Sequence, residues 1–132
     1  MMGNSIADMA AAGASTIRLY DARSAQAQAV ASHLKSHYPN MDIHADQLTL
    51  AGFDLVVNAT PLGMEPNDPL PIDVTQIEPQ MVIAEIVMKC EITPMLAAAQ
   101  SQGCRVVLGR EMLQEQLALY LDFFGLTPAI AN

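Results

Sequence analysis

Apolar residues recur along the chain at two spacings, which predict strands and helices in alternation. Short runs rich in β-branched residues predict strands at 16–20, 41–45, 53–59, 81–87 and 104–108. Apolar residues at helical spacing predict helices at 4–12, 24–37 and 111–124, and a further helix that starts at Pro94 and ends before Gly103. This alternation favours a mainly parallel sheet with helices on both faces.

The predicted helix ends carry residues that suit them. Ser24 is expected to be an N-cap, as is Thr93, which precedes a proline at the first helical position. Gly103 and Gly125 are placed to end the last two helices. The pattern therefore predicts a Rossmann-like α/β fold, with right-handed crossovers between its parallel strands.

Two predicted strands, 53–59 and 81–87, are apolar almost throughout. A strand without polar alternation is typical of one that is buried on both faces of a sheet. We expect these two segments to be adjacent inner strands.

Composition and charge narrow the functional classes. Hydrophobic residues make up 52% of the 132 residues and charged residues 15%, which predicts a single folded domain over 1–132. No segment resembles a membrane span or a signal peptide, so we expect a cytoplasmic protein without a membrane partner. Six basic residues against 14 acidic ones, a net charge of -8, argue against nucleic-acid binding.

The potential metal ligands form no recognisable set. His33 and His37 lie one helical turn apart, a geometry that can hold zinc, but no third ligand is evident. The spacing of Cys90 and Cys104 does not suggest zinc either, and we expect both thiols to be reduced. We therefore predict no metal site.

Asp21 directly follows the predicted strand 16–20. Nucleotide-binding α/β domains place a carboxylate there to bind the adenosine ribose hydroxyls, and such a carboxylate repels the 2′-phosphate of NADP. Arg23 has the opposite effect, because a guanidinium binds that phosphate or stacks on adenine. The alternative is that Asp21 and Ser24 only form a turn before a helix.

The segment 58–64, Asn-Ala-Thr-Pro-Leu-Gly-Met, leaves a predicted buried strand and turns sharply. Open α/β sheets bind ligands just beyond the carboxyl ends of their strands, so Thr60 is expected to face a cofactor. Pro61 stiffens the loop, and Gly63 allows a positive φ or the close approach of a ligand.

Three segments resemble the C-terminal, nucleotide-binding half of the shikimate dehydrogenase and shikimate/quinate dehydrogenase family. They are FDLVVNATPLGM at 53–64, ITPMLAAAQSQGCRVVLG at 92–109 and GREMLQEQLALYLDFFG at 109–125. The resemblance implies that Gly109 and the backbone of Ile86 contact the nicotinamide end of the cofactor. It also implies that Gln116 binds substrate hydroxyls and that Met88 replaces a tyrosine that contacts the substrate.

Gln116 is also notable without the resemblance. It falls in the apolar stripe of its predicted helix, with Met112 and Leu113 one turn before it and Tyr120 one turn after it. An amide on a buried stripe needs hydrogen-bond partners, so a structural bond to the backbone is the alternative to a substrate contact.

The resemblance implies NAD or NADP as cofactor. Asp21, with alanine at the next position where NADP-using members often have arginine, favours NAD. Glu85, Lys89 and Cys90 also depart from the family pattern, which leaves the identity of the small hydroxy-acid substrate open.

Much of the family pattern is missing. Only Gly3 matches the glycine-rich phosphate loop, and the catalytic lysine and aspartate of the family have no counterpart here, so no catalytic residue is assigned. We therefore expect a partial nucleotide-binding domain, truncated at its N-terminus and inactive alone, of an oxidoreductase that interconverts 3-dehydroshikimate and shikimate or acts on quinate. The alternative is a non-catalytic remnant or an oligomerising module. A homo-oligomer or a missing upstream domain is the expected partner.

Overall fold

A computed structural model describes residues 13–125, which form two compact units that meet in sequence between Thr49 and Leu50. The predicted helix at 4–12 lies outside the described residues. No helix within 13–125 is long and apolar enough to cross a membrane.

The first unit is a strand–helix–strand segment. It consists of β1 (Thr16–Leu19), α1 (Ser24–His37) and β2 (Asp42–Ala45), and the two strands pair in parallel. A helix between parallel strands follows because such strands need a crossover connection. The inward faces of all three elements supply a small apolar core: Ile17, Ala31, Leu34 and Ile43.

The start of α1 differs from the prediction. Ser24 is the first helical residue, not the N-cap, and Arg23 takes the cap position without a capping side chain. The physical reason is that Asp21 organises the turn. Its Oδ1 accepts a hydrogen bond from the Arg23 backbone N–H at 2.7 Å, so the turn is closed before Ser24 is reached.

The second unit is built on three parallel strands. They are β3 (Leu55–Asn58), β4 (Val82–Glu85) and β5 (Arg105–Val107), in the spatial order β3-β4-β5. A short 3-10 helix (Val74–Gln76) lies between β3 and β4, α2 (Pro94–Ser101) connects β4 to β5, and α3 (Gly109–Phe123) follows β5.

The two apolar segments pair as predicted, but they are not buried alike. β4 lies between its two neighbours and its last three residues are buried. β3 has a single hydrogen-bonded neighbour among the described strands, and Leu55 is 44% exposed. Only Asn58 of the described strand β3 is buried, so the prediction that 53–59 is buried on both faces is wrong; an apolar run does not show which element covers it.

The five described strands confirm the Rossmann-like α/β prediction of parallel strands with intervening helices. They form two sheets, however, where the pattern predicts one. In the doubly wound order 3-2-1-4-5-6, the strand that leads into the phosphate loop lies between the two halves. No strand described in 13–125 leads into such a loop.

The ends of α2 follow the prediction. The Thr93 hydroxyl caps the helix by accepting the Leu96 N–H at 3.3 Å, and Pro94 occupies the first helical position. Gly103 follows the helix with a φ of +85°. This fixed start matters because Thr93 also borders the candidate site.

Candidate cofactor site

The loop that follows β3 is closed by the Asn58 side chain. Asn58 is buried, and its Oδ1 accepts hydrogen bonds from the Thr60 backbone N–H at 3.0 Å and the Thr60 hydroxyl at 2.7 Å. Its Nδ2 donates to the Leu62 carbonyl at 3.1 Å. Thr60 is thus fixed by its own loop at the carboxyl end of β3, where α/β sheets bind ligands.

Gly63 and Asp68 shape the turn of the same loop. Gly63 has a φ of +103°, which side chains rarely tolerate, and a Cβ there would lie 3.2 Å from Thr93 Cγ2. Asp68 Oδ2 accepts the backbone N–H of Gly63 at 3.0 Å and that of Glu65 at 2.9 Å. These donors, that of Glu65 foremost, hold the pKa of Asp68 below its ordinary value.

Glu85, the last residue of β4, is fully buried. Its Oε2 accepts a hydrogen bond from the Thr93 hydroxyl at 2.9 Å, whereas its Oε1 has no hydrogen-bond partner among the described residues. Burial raises the pKa of Glu85 above its ordinary value, and the influences of Thr93 and Asn58 offset this only in part. Asn58 lies beside Glu85 in the sheet, but it makes no hydrogen bond to Oε1.

The start of α3 packs directly on the chain that leaves β4. Gly109 is buried, and a Cβ atom there would lie 2.2 Å from the Val87 carbonyl oxygen and 2.8 Å from the Ile86 carbonyl carbon. Only a residue without a side chain permits this approach. Gly109 therefore brings the first turn of α3 against the Ile86–Val87 peptide.

A cavity of about 250 Å³ lies between the β4–α2 loop and the first turn of α3. Its lining consists of Val87, Met88, Lys89, Cys90, Glu91, Leu108, Gly109 and Arg110. Two exposed ion pairs involve residues of this lining: Lys89 with Glu65, and Arg110 with Glu91 at 2.8 Å. Exposed ion pairs of this kind contribute at most about 1 kcal/mol each to stability. The buried contacts of Gly109 therefore contribute more to fixing this side of the cavity.

The structure brings three of the predicted site residues together in the second unit. Ile86 and Gly109 are in contact through the backbone, and Met88, which is 58% exposed, lines the cavity. The Ile86 N–H donates to the Asn58 carbonyl at 3.1 Å, so the chain continues the β3–β4 pairing to that point. Thr60 lies in the loop that follows the neighbouring strand.

The structure contradicts the premise that Gln116 lies on a buried stripe. Gln116 is exposed, as are Leu113 and Tyr120 on the same helix. No described element covers this face of α3, so the stripe is apolar without being buried. Gln116 nevertheless follows Gly109 by two helical turns, roughly 10 Å along nearly the same face. Its predicted contact with substrate hydroxyls does not require burial and stays a prediction.

Asp21 and Arg23 lie in the first unit. Besides the backbone bond that closes the turn, Arg23 Nε lies 3.6 Å from Asp21 Oδ1. The turn-forming alternative for Asp21 is thus observed. The second carboxylate oxygen, Oδ2, makes no hydrogen bond to another described residue, so the turn-forming role is compatible with a ligand contact.

The two histidines of α1 interact with each other. The His33 and His37 rings are 4.6 Å apart, and His37 Nδ1 lies 3.0 Å from the His33 carbonyl oxygen. No group of three potential metal ligands occurs within the part of the chain that the structure describes.

Sequence patterns did not indicate the contact between Glu85 and Thr93 or the proximity of Asn58. In the sequence, Glu85 stands out only as a departure from the family pattern. The available signal was a glutamate within the apolar run 81–87, since a carboxylate in a buried strand needs a polar partner.

The described strands are parallel, helices connect them, and polar loops follow their carboxyl ends. This arrangement defines a Rossmann-like nucleotide-binding fold. The chain is 40% identical over 87 residues to the NADP(+) shikimate dehydrogenase of Acidiphilium cryptum (strain JF-5). This match covers 65% of the chain and 32% of that protein. The chain is therefore homologous to the C-terminal part of shikimate dehydrogenases.

Solved structures share the fold. The NAD complex of quinate dehydrogenase from Corynebacterium glutamicum superposes with a TM-score of 0.76 at 27% identity, over 88% of this chain and 43% of that one. Ligand-free 5-ketofructose reductase of Gluconobacter sp. strain CHM43 gives a TM-score of 0.77 at 24% identity, over 88% and 44%. The chain thus spans less than half the length of each of these relatives. No protein-family model matches it.

Proposed function

We propose that the chain is the cofactor-binding part of an NAD(P)-dependent oxidoreductase that acts on a hydroxylated ring carboxylate of the shikimate or quinate type. One observation carries the proposal. Gly109 packs on the Ile86–Val87 peptide beside a cavity of about 250 Å³, at the sheet edge where such folds bind ligands. Homology to shikimate dehydrogenases supports the same assignment.

The residues fit a dinucleotide in their chemistry. Gly109 and Ile86 meet through their backbones at the cavity, and Thr60 lies in the loop that follows the neighbouring strand, so these three residues would hold the nicotinamide end. In the first unit, Asp21 would accept hydrogen bonds from the adenosine ribose, and Arg23 would lie near the adenine. When bound, the nicotinamide accepts or supplies a hydride.

NAD is the favoured cofactor, because the Asp21 carboxylate repels a 2′-phosphate. Arg23 does not offset this repulsion fully, since its backbone and Nε both lie near Asp21 Oδ1. Relatives include an NADP(+) enzyme and a structure with NAD, so both cofactors are to be tested.

On the substrate side, Met88 lines the cavity and Gln116 lies farther along α3. Met88 offers an adaptable apolar contact, where the family tyrosine offers a hydroxyl. Gln116 would bind substrate hydroxyls with its amide. These two positions set which hydroxy acid is accepted.

The test is calorimetric titration of the 132-residue chain with NAD, NADP and ADP-ribose. Because Gly109, Ile86 and Thr60 are proposed to hold the nicotinamide end, NAD should bind more tightly than ADP-ribose, which lacks that end. Equal affinities for NAD and ADP-ribose would remove Gly109 and Ile86 from the site. A complete lack of binding would reject the proposal for this chain.

The second candidate is a module that associates without turnover. The exposed apolar face of α3 favours it, since Leu113, Leu117 and Tyr120 are each about half exposed. Sedimentation equilibrium tests this candidate. A monomer that binds NAD supports the first proposal, and a stable oligomer that binds no nucleotide supports the second.

A further inference from the structure

Glu85 is a buried carboxylic acid that the proposed hydride chemistry does not use. Among the described residues no cation pairs with its carboxyl group, which is buried and has the uncharged Thr93 and Asn58 as polar neighbours. An ionised carboxylate buried without a cation is costly. A protonated one keeps Oε2 as acceptor for the Thr93 hydroxyl without burying a charge.

The two polar neighbours of Glu85 belong to the two loops that border the candidate site. Asn58 is the direct β-sheet partner of Glu85 and closes the 58–64 loop around Thr60. Thr93 ends the 86–93 loop, caps α2, and points its methyl group toward Gly63 of the 58–64 loop. We name Glu85, Asn58 and Thr93 the Glu85 cluster.

We propose that Glu85 is a positioning residue, whose buried carboxyl group holds Thr93 of the 86–93 loop against Gly63 of the 58–64 loop and so sets the shape of the cavity wall. The exposed Lys89–Glu65 ion pair also links the 86–93 loop to the residue that directly follows the 58–64 loop. That pair is solvated, so the buried Glu85 cluster carries the alignment. The expected effect on nucleotide binding rests on the proposed function, whereas the alignment of the two loops does not.

The proposal predicts a pH dependence of defined sign. A carboxyl group whose folded-state pKa is raised stabilises the fold fully below its unfolded pKa, and this contribution is lost as the pH rises through the folded value. The Glu85 cluster should therefore be intact in mildly acidic solution and loosen on ionisation. Glu85→Gln removes the ionisation but keeps an acceptor for Thr93, so it should abolish the dependence.

The experiment follows the backbone amide resonances of Thr60 and Ile86 by NMR between about pH 4 and 9, in the 132-residue chain without nucleotide. In the wild type, both amides should shift together with one apparent pKa above that of an ordinary glutamate. Glu85→Gln should remove this titration. The matched control, Glu115→Gln on the exposed surface of α3, should retain it.

Thr93 variants provide a second arm should Glu85→Gln fail to fold. Thr93→Val keeps the shape but removes the hydroxyl, and should move the apparent pKa upward, because Oε2 loses the donor that favours the ionised form. Thr93→Ser should restore the wild-type value. Titrations unchanged in Glu85→Gln, or equal in Thr93→Val and the wild type, would overturn the proposal.

Nucleotide binding is measured separately in the same variants. NAD affinity should fall by about three- to tenfold on ionisation of Glu85 in the wild type, because a buried charge favours movement of the loops that cover it. It should stay constant with pH in Glu85→Gln. If the amides titrate as expected but no nucleotide binds at any pH, the proposed function fails and the loop alignment stands.

Discussion

Gly109 and Val87 approach so closely that a single methyl group would not fit between them: a Cβ on Gly109 would lie 2.2 Å from the Val87 carbonyl oxygen. The neighbour is backbone, which cannot rotate away as a side chain can. The contact therefore fixes how the first turn of α3 meets the end of β4.

Gly109→Ala should accordingly destabilise the chain by about 1–3 kcal/mol, the usual cost of overpacking, and reduce NAD affinity more than tenfold. Chemical unfolding and calorimetry measure the two effects. Gly52→Ala is the control, because its added Cβ meets nothing within 4 Å while its φ of +81° is unfavourable for alanine. It should cost about 1–2 kcal/mol and leave NAD affinity unchanged. Equal losses of affinity in both variants would mean that Gly109 acts only through stability.

Asn58→Ala should open the loop that holds Thr60. The variant loses two accepted hydrogen bonds and one donated bond at a buried position, so we expect a loss of about 2–3 kcal/mol in the free energy of unfolding. Asn67→Ala, at an exposed position of the following segment, should be neutral within about 0.5 kcal/mol. A neutral Asn58→Ala would show that the 58–64 loop keeps its form without the amide.

Local sequence signals were sufficient where the structure itself is local. The Thr93-Pro94 start of α2 was predictable because a cap and its helix are adjacent in sequence. The pairing of 53–59 with 81–87 was predictable because both are apolar runs. The exposure of β3 was not, since an apolar run shows that a strand needs cover but not which element provides it.

The candidate site was predictable to a similar extent. The 58–64 loop and Gly109 followed from motif and resemblance, and both lie at the carboxyl edge of the second sheet. The Glu85 cluster did not follow, because the register that sets Asn58 beside Glu85 is a tertiary feature. The burial of Gln116 was wrongly inferred for the same reason: helical spacing identifies an apolar face, not its cover.

Asp68→Asn should lower the free energy of unfolding by an amount that depends on pH. Backbone N–H groups, that of Glu65 foremost, lower the pKa of Asp68, so its contribution is present above its unfolded value of 3.8 and is lost as the pH falls through the folded value. The variant should be less stable than the wild type near neutral pH, and the difference should shrink on acidification. Urea unfolding between about pH 3 and 7 measures this. Asp54→Asn, at an exposed site, is the control; a difference that grows as the pH falls would contradict the role of Asp68.

Asp21→Asn should shift the cofactor preference toward NADP. Asparagine keeps an oxygen to accept the Arg23 backbone N–H, so the turn before α1 is preserved while the charge that repels a 2′-phosphate is removed. We expect the ratio of the NADP and NAD dissociation constants to fall about tenfold, which corresponds to about 1.4 kcal/mol. Calorimetric titration with both cofactors measures the ratio. Asp42→Asn removes one charge from an exposed position in the same unit and should leave the ratio unchanged.

Arg23→Gln should weaken NADP binding more than NAD binding in the Asp21→Asn background, because the guanidinium then binds the phosphate without competition. A wild-type chain that already binds NADP much more tightly than NAD, or a ratio that Asp21→Asn does not alter, would leave Asp21 as a turn residue only.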